Sequence, residues 1–450
     1  MRPTSDPVEA AALGSRRWWV GLLTAAAAWR ALISWRTPIP AEDGANYVWM
    51  AEQFAAGRPC QALGEVFPPL TGAWCAWPIW LGLEPFRAAQ LALAVAGVAA
   101  VVWMARAAER LAPGAGRAAA WLTAFAPLPV RLGAECYSEP VFLLFGAAAV
   151  ESAMRHCWWR CGALAGAAAW VRPEAALIIV ALMAAAAPRR AWRAGLTFAA
   201  AIAVLSGARG ACGLGFDPWP KVGFVWERSV AALPGVGEAL TSVAQHALRL
   251  PWLWLEAFGL LGVLAVWGAC RPRRPGTFPL VAMILCGAGL ICFFLPRRRF
   301  LVSWLIAAAP LAAAGWLDLP RSWRRWVLGF AVVSSLALGL RTMHPNRAAE
   351  RAVGQHLGAL LAPGERVTGD MTRVLYFAGQ RPLPPRPWTA GELASHARPA
   401  EVRFVVLGAR RPQASAVVAA LAADFDVLPL PAAIGVGAAD RGILVLQRRH

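Results

Sequence analysis

The sequence predicts a polytopic α-helical membrane protein of about eleven spans with a small C-terminal α/β domain, and three observations carry that prediction. Apolar residues make up 58% of the chain and charged residues 15%, where a soluble domain carries about a quarter charged. Mean hydropathy is +0.50. Apolar runs recur from residue 18 to residue 341, and only beyond that point do short β-rich runs take over.

The runs lie near 18–35, 87–105, 117–131, 140–154, 158–172, 174–187, 192–208, 251–269, 277–296, 300–317 and 324–341. The first follows a polar start, carries Arg30 and lacks a small-residue cleavage pattern, so it reads as a retained anchor rather than a signal peptide. Past 341, Val402–Leu407 and Gly442–Leu446 read as strands and 347–361 and 412–423 as helices, separated by Ala362-Pro363-Gly364 and Pro382-Leu383-Pro384-Pro385. The division expected is a transmembrane domain over 1–341 and an extramembrane domain over 342–450.

The net charge of +19 does not point to nucleic acid, because the arginines fall in short clusters between apolar runs, where topology signals belong. With Arg16 and Arg17 inside, the inner loops carry Arg106, Arg110 and Arg117, then Arg155 and Arg160, then Arg189, Arg190 and Arg193, then Arg271, Arg273 and Arg274, then Arg321, Arg324 and Arg325. The same alternation puts Asp43, Glu135, Glu139, Glu174 and the C-terminal domain outside. A plasma (inner) membrane protein with a cytoplasmic N-terminus is expected.

The first outer loop, 36–86, opens on Glu42-Asp43-Gly44-Ala45-Asn46-Tyr47. Acids at a membrane face seldom serve packing, and these begin a segment, 43–56, with Tyr47, Met50, Ala51 and Phe54 at helical spacing. Asp43 admits two readings, a carboxylate placed for chemistry or an N-cap of the following helix. Arg297-Arg298-Arg299 stands in an outer loop where positive charge should be scarce. A headgroup anchor would explain it. So would a phosphate site, in which an arginine fork, Arg298 first among the three, meets phosphate oxygens.

Other residues are read the same way. Glu139 is either a second site acid or a loop acid satisfied by Arg131. Arg172-Pro173-Glu174 is either an ion pair closing a tight turn or a substrate contact. Lys221, the single lysine of the chain, is a solvated charge or a point-charge partner for phosphate. Nine cysteines show no metal spacing; Cys60 and Cys75 share the first outer loop and are the pair open to a disulfide there. His246 and His344 are isolated.

Asp43 with Tyr47 four places on, the helix ending at Gly57 and Pro68-Pro69-Leu70 resemble the first outer loop of the GT-C membrane glycosyltransferases, in particular the branch of protein O-mannosyltransferases and the lipid A aminoarabinose transferase. Tyr137-Ser138-Glu139-Pro140 resembles that branch's second acidic site, and Arg298-Arg299-Phe300 followed by Pro310 its late segment. The likeness covers residues 18 to about 318, and the tail resembles the α/β domains many members append. It implies a GT-C-like fold and an inverting transfer of a sugar from a polyprenyl-phosphate donor to a glycan, lipid or protein acceptor at the outer face. Asp43 and Glu139 are then the catalytic acids and Glu42, Tyr47 and Arg297 to Arg299 substrate contacts, to which the reading of the residues themselves adds Arg172, Glu174 and Lys221 as candidates. A divalent cation between Asp43 and Glu139 is compatible with the pattern. The family commonly has Asp-Glu where this chain has Asp43-Gly44. A flippase or transporter of lipid-linked sugars and a non-catalytic assembly factor are the rival classes; mid-span ionisable residues and repeat symmetry would mark a transporter.

Overall fold

Wherever the sequence shows an apolar run, the computed structural model, which describes residues 15–184, 188–220, 222–223, 236–271, 274, 276–293, 297–340, 347–383 and 388–449, has a helix. Pro85–Leu111, Ala191–Ala211 and Arg298–Leu317 are long and apolar enough to cross a membrane, and Leu240–Phe258 with Leu260–Cys270 forms a further candidate bent by 115°. Ala175–Ala184 and Thr277–Phe293 are shorter apolar helices.

Two expected spans are broken. The 117–131 run divides into Gly116–Ala124 and Pro127–Ala134, because the residue before a proline is turned away from helical geometry. The break leaves the Ala124 carbonyl without a helical partner, and Arg30 supplies one: buried in the Arg16–Trp35 helix, it donates to Ala124 O at 2.8 Å and also to Ala26 O and Gly97 O. An intramembrane charge is thus spent on backbone carbonyls. The 251–269 run crosses the bend at Gly259, whose φ of 53° suits a residue without a β-carbon.

The first outer loop folds into the helices Glu42–Ala55, Pro59–Leu63 and Leu70–Trp80. Tyr47, Met50, Ala62 and Phe67 pack together, with Phe54 against them, so the helical spacing read from the sequence is the packed face. Cys60 bonds to Cys212, just past the Pro188–Ala211 helix, and not to Cys75, which is free and buried. The pairing left open within one loop does not form: Cys75 points into the core beside Ala89, while Cys60 meets a helix end far away in sequence.

The C-terminal part is a four-stranded sheet with helices. Strands β1 (Arg366–Gly369), β2 (Val402–Gly408), β3 (Phe425–Val427) and β4 (Ile443–Arg448) lie in the order β1-β2-β4-β3. β1 and β2 are parallel and the remaining pairs antiparallel. β2 and β4 are the two strands read from the sequence; β1 and β3 are too short to show an alternation. This part sits on the first outer loop and on the segment before Glu139 through polar contacts. Arg347 binds Glu135 at 3.1 Å, Arg381 binds Glu65 at 2.7 Å, and Tyr376 donates to Glu52 at 3.4 Å.

Candidate active site

Four segments distant in sequence build the site. The Glu42–Ala55 helix begins with Glu42 and Asp43 in its first turn, where the positive end of the helix dipole favours acids. No side chain caps it, so Asp43 is in the helix rather than its N-cap. Its entry is fixed by the segment before Glu139. Ala41 N donates to the Glu135 carbonyl at 3.0 Å, and a β-carbon on Gly44 would lie 2.2 Å from the same oxygen. Only glycine fits there, which is the physical reason for Asp-Gly where the GT-C pattern has Asp-Glu.

The second segment, Glu135 to Glu139, turns at Cys136, a buried residue at φ 62°. A left-handed non-glycine residue costs energy and persists where its surroundings fix it. The turn delivers Tyr137 and Ser138 and starts the next helix at Glu139 with Pro140 in its first turn. The third segment is the turn at Arg172, and the fourth is Arg299 at the start of the Arg298–Leu301 helix.

Arg299 Nη1 donates to Asp43 Oδ2 at 3.0 Å. Its guanidinium lies 5.0 Å from the ring centres of both Tyr137 and Phe300, a cation–π arrangement. Arg172 donates to Glu139 at 2.7 Å and to Glu174 at 2.8 Å, and stands over Phe300 at 5.7 Å. Tyr47 and Ser138 share a hydrogen bond, and the Tyr47 ring meets Phe67 edge to face. Phe300 is therefore in contact with two guanidiniums, one on each acid.

The electrostatics follow from this crowding. Burial lifts the Tyr47 hydroxyl far above its ordinary range, with Asp43 and Glu139 adding to it. Burial likewise lifts Tyr137. Both phenols stay protonated and can donate. Asp43, Tyr137 and Glu139 all act electrostatically on Arg299, and Glu174 and Glu139 on Arg172. On the charged side chains of the site, Glu139 Oε2, Arg172 Nε and Arg299 Nε are buried with no hydrogen-bond partner among the described residues.

Of the residues singled out in the sequence, Asp43, Tyr47, Glu139, Arg172, Glu174 and Arg299 come together. Arg297 and Arg298 do not; both are exposed, so the arginine at the acid is Arg299 and not Arg298. Glu42 turns the other way, 3.7 Å from Arg373 of the C-terminal part. Lys221 lies outside the described residues. No group of three or more His, Cys, Asp or Glu able to hold a metal occurs among the described residues. Asp43 and Glu139 each face a guanidinium where a divalent ion would have to stand, a poor fit for one.

Tyr137 was not among the residues picked out singly, yet a signal existed. The chain has three tyrosines against 24 tryptophans. Tyr47 and Tyr137 stand at this site and Tyr376 at the contact of the C-terminal part with the loop.

No protein-family model matches the chain, and no curated protein does. Solved structures do. The fold is similar to that of ArnT from Cupriavidus metallidurans bound to undecaprenyl phosphate, with a TM-score of 0.66 over 96% of this chain and 98% of that one, at 14% identity. It is similar also to the archaeal oligosaccharyltransferase AglB from Archaeoglobus fulgidus in complex with an inhibitory peptide and a dolichol-phosphate, at 0.58, 87%, 69% and 11% in the same order. The arabinofuranosyltransferase AftD from Mycobacteria matches at a TM-score of 0.50 and 17% identity, over 96% of this chain and 42% of its own. At these identities the likeness is one of fold, and at that level the resemblance to GT-C glycosyltransferases holds.

Proposed function

We propose that this chain is a membrane glycosyltransferase that moves a sugar from a polyprenyl-phosphate donor to an acceptor hydroxyl, with Asp43 as general base and Arg299 as the cation for the departing phosphate. The observation that carries it is the 3.0 Å contact between Arg299 and Asp43, residues 256 apart in sequence. A displacement at an anomeric carbon needs a proton acceptor on the attacking side and positive charge on the leaving side, and here the two groups adjoin.

The acceptor oxygen bonds to the anomeric carbon as the bond from that carbon to the phosphate oxygen breaks. The proton passes to the Asp43 carboxylate, and the phosphate departs with the electron pair, its charge met by Arg299. One displacement inverts the anomeric centre, unlike the two-step route through a covalent intermediate. Tyr47, kept protonated, donates to substrate oxygens. Glu139, Arg172 and Glu174 hold the floor beside Phe300. Glycan, lipid and protein acceptors all offer the required hydroxyl.

The reaction belongs on the outer face of the plasma membrane in this reading, with the N-terminus inside and the domain from about 342 to 450 outside. The Cys60–Cys212 bond supports that side, since disulfides persist in oxidising compartments. About eleven spans remain the expected number.

The test is release of free polyprenyl phosphate from polyprenyl-phosphate sugars by the purified protein in lipid nanodiscs, with a bacterial envelope extract as acceptor source. Release by the parent and none by Asp43→Asn is the expected result. No release by the parent from any donor in a panel of hexose, pentose and aminopentose derivatives overturns the assignment.

A further inference from the structure

Asp43 and Arg299 carry the two opposite tasks of the proposed reaction, yet they are bonded to each other. A carboxylate that accepts from a guanidinium is a weaker base than the same carboxylate released, because the charge-assisted bond favours its ionised form. Arg299 cannot give up its proton. The pair therefore separates only when another anion competes for the guanidinium.

The surroundings of Arg299 suit such an exchange. Its plane lies near the rings of Tyr137 and Phe300, both 5.0 Å from it, so sliding off Asp43 leaves the aromatic contact in place. Nη1 is spent on Asp43, while Nε is buried without a partner. A phosphate offers several acceptor oxygens and can satisfy both, which a single Asp43 oxygen does not. The other guanidinium beside Phe300, that of Arg172, is committed to Glu139 and Glu174.

We infer that Asp43 and Arg299 form an interlock: a phosphate-bearing donor must draw Arg299 away before Asp43 can take a proton, which makes donor binding obligatory before the acceptor is activated. This rests on the reading given under Proposed function and adds the order of events. It also gives the site a safeguard, since an acceptor arriving first meets a carboxylate already engaged.

The test uses a short-chain polyprenyl phosphate as ligand for the full-length protein in detergent micelles. If the lipid must displace Asp43 from Arg299, removing the carboxylate's charge strengthens binding although it abolishes transfer. Asp43→Asn should bind roughly tenfold more tightly than the parent, the scale of one charge-assisted hydrogen bond. That gain should vanish in an Arg299→Gln background, because the competition is for that guanidinium. A gain that persists unchanged with Arg299→Gln would be plain charge repulsion and would overturn the interlock, as would an Asp43→Asn that binds no better than the parent. If neither parent nor Asp43→Asn binds, the phosphate-site reading itself fails. Arg299→Lys and Asp43→Ala serve in place of either variant that does not fold, judged by thermal unfolding without lipid.

Discussion

Arg172 gives one terminal nitrogen to Glu139 and the other to Glu174, at 2.7 and 2.8 Å, from a side chain only 10% exposed. One cation thus serves two carboxylates, one of which, Glu139, is only 1% exposed. Arg172→Met should cost about 3 to 5 kcal/mol, the scale for breaking a buried ion pair from one side. Thermal unfolding in detergent measures it. Adding Glu139→Gln to Arg172→Met should recover much of the loss, and a double variant as unstable as the single would show that packing, not charge, is at stake.

The arginine run separates an anchor from a phosphate site. Arg297→Lys and Arg298→Lys should bind polyprenyl phosphate as the parent does, since both side chains are exposed. Arg299→Lys keeps the charge and loses the planar fork, so it should bind about tenfold more weakly or worse. Equal affinities for all three variants would make the cluster a headgroup anchor.

Asp43→Asn should lower transfer by about a hundred- to ten-thousandfold, the range of a general base, with membrane insertion and unfolding temperature near those of the parent. Near-normal turnover would remove Asp43 from the chemistry.

How far the sequence could lead is clearest at these same residues. Asp43 and Tyr47 were legible because a helix repeats in fewer than four residues and its acidic start is a local signal. Arg299 was legible only as one of three neighbours: consecutive helical residues point about 100° apart, and which one faces Asp43 depends on where the short Arg298–Leu301 helix begins. Gly44 looked like a departure from the GT-C pattern, and only the Glu135 carbonyl explains it. The break before Pro127 was readable from that proline. The Cys60–Cys212 bond was not, because nothing local records a partner 152 residues away.

Acidity at the contact between the loop and the C-terminal part should be visible as well. Burial, with Glu84 adding, pushes the Glu52 carboxyl from 4.5 up to about 7, against the lowering effects of the Tyr376 bond and Arg58. A raised carboxyl pKa means that the folded state favours the protonated form, so this contribution is complete below about pH 4.5 and lost as pH rises through about 7. The unfolding temperature should fall between pH 5 and pH 8 by more in the parent than in Glu52→Gln. Identical profiles would show that Glu52 does not titrate there.

Sidedness can be read directly. A phosphatase fused after residue 450 should be active and a fluorescent protein at the same point dark, as arginine-rich inner loops require. A bright fluorescent fusion without phosphatase activity would reverse the orientation and the chemistry with it.

The bond between Cys60 and Cys212 turns the polypeptide between them into a closed ring. Threaded on it are the long Pro85–Leu111 helix, the segment from Glu135 to Glu139 and the turn at Arg172. A single backbone cut anywhere from residue 61 to residue 211 therefore leaves one covalent molecule, whose two pieces part only on reduction. Cuts before 60 or after 212 have no such protection. The same circle holds the carboxyl end of the Pro188–Ala211 helix against the loop that opens on Asp43, so the loop cannot drift from the bundle even if every noncovalent contact between them is lost.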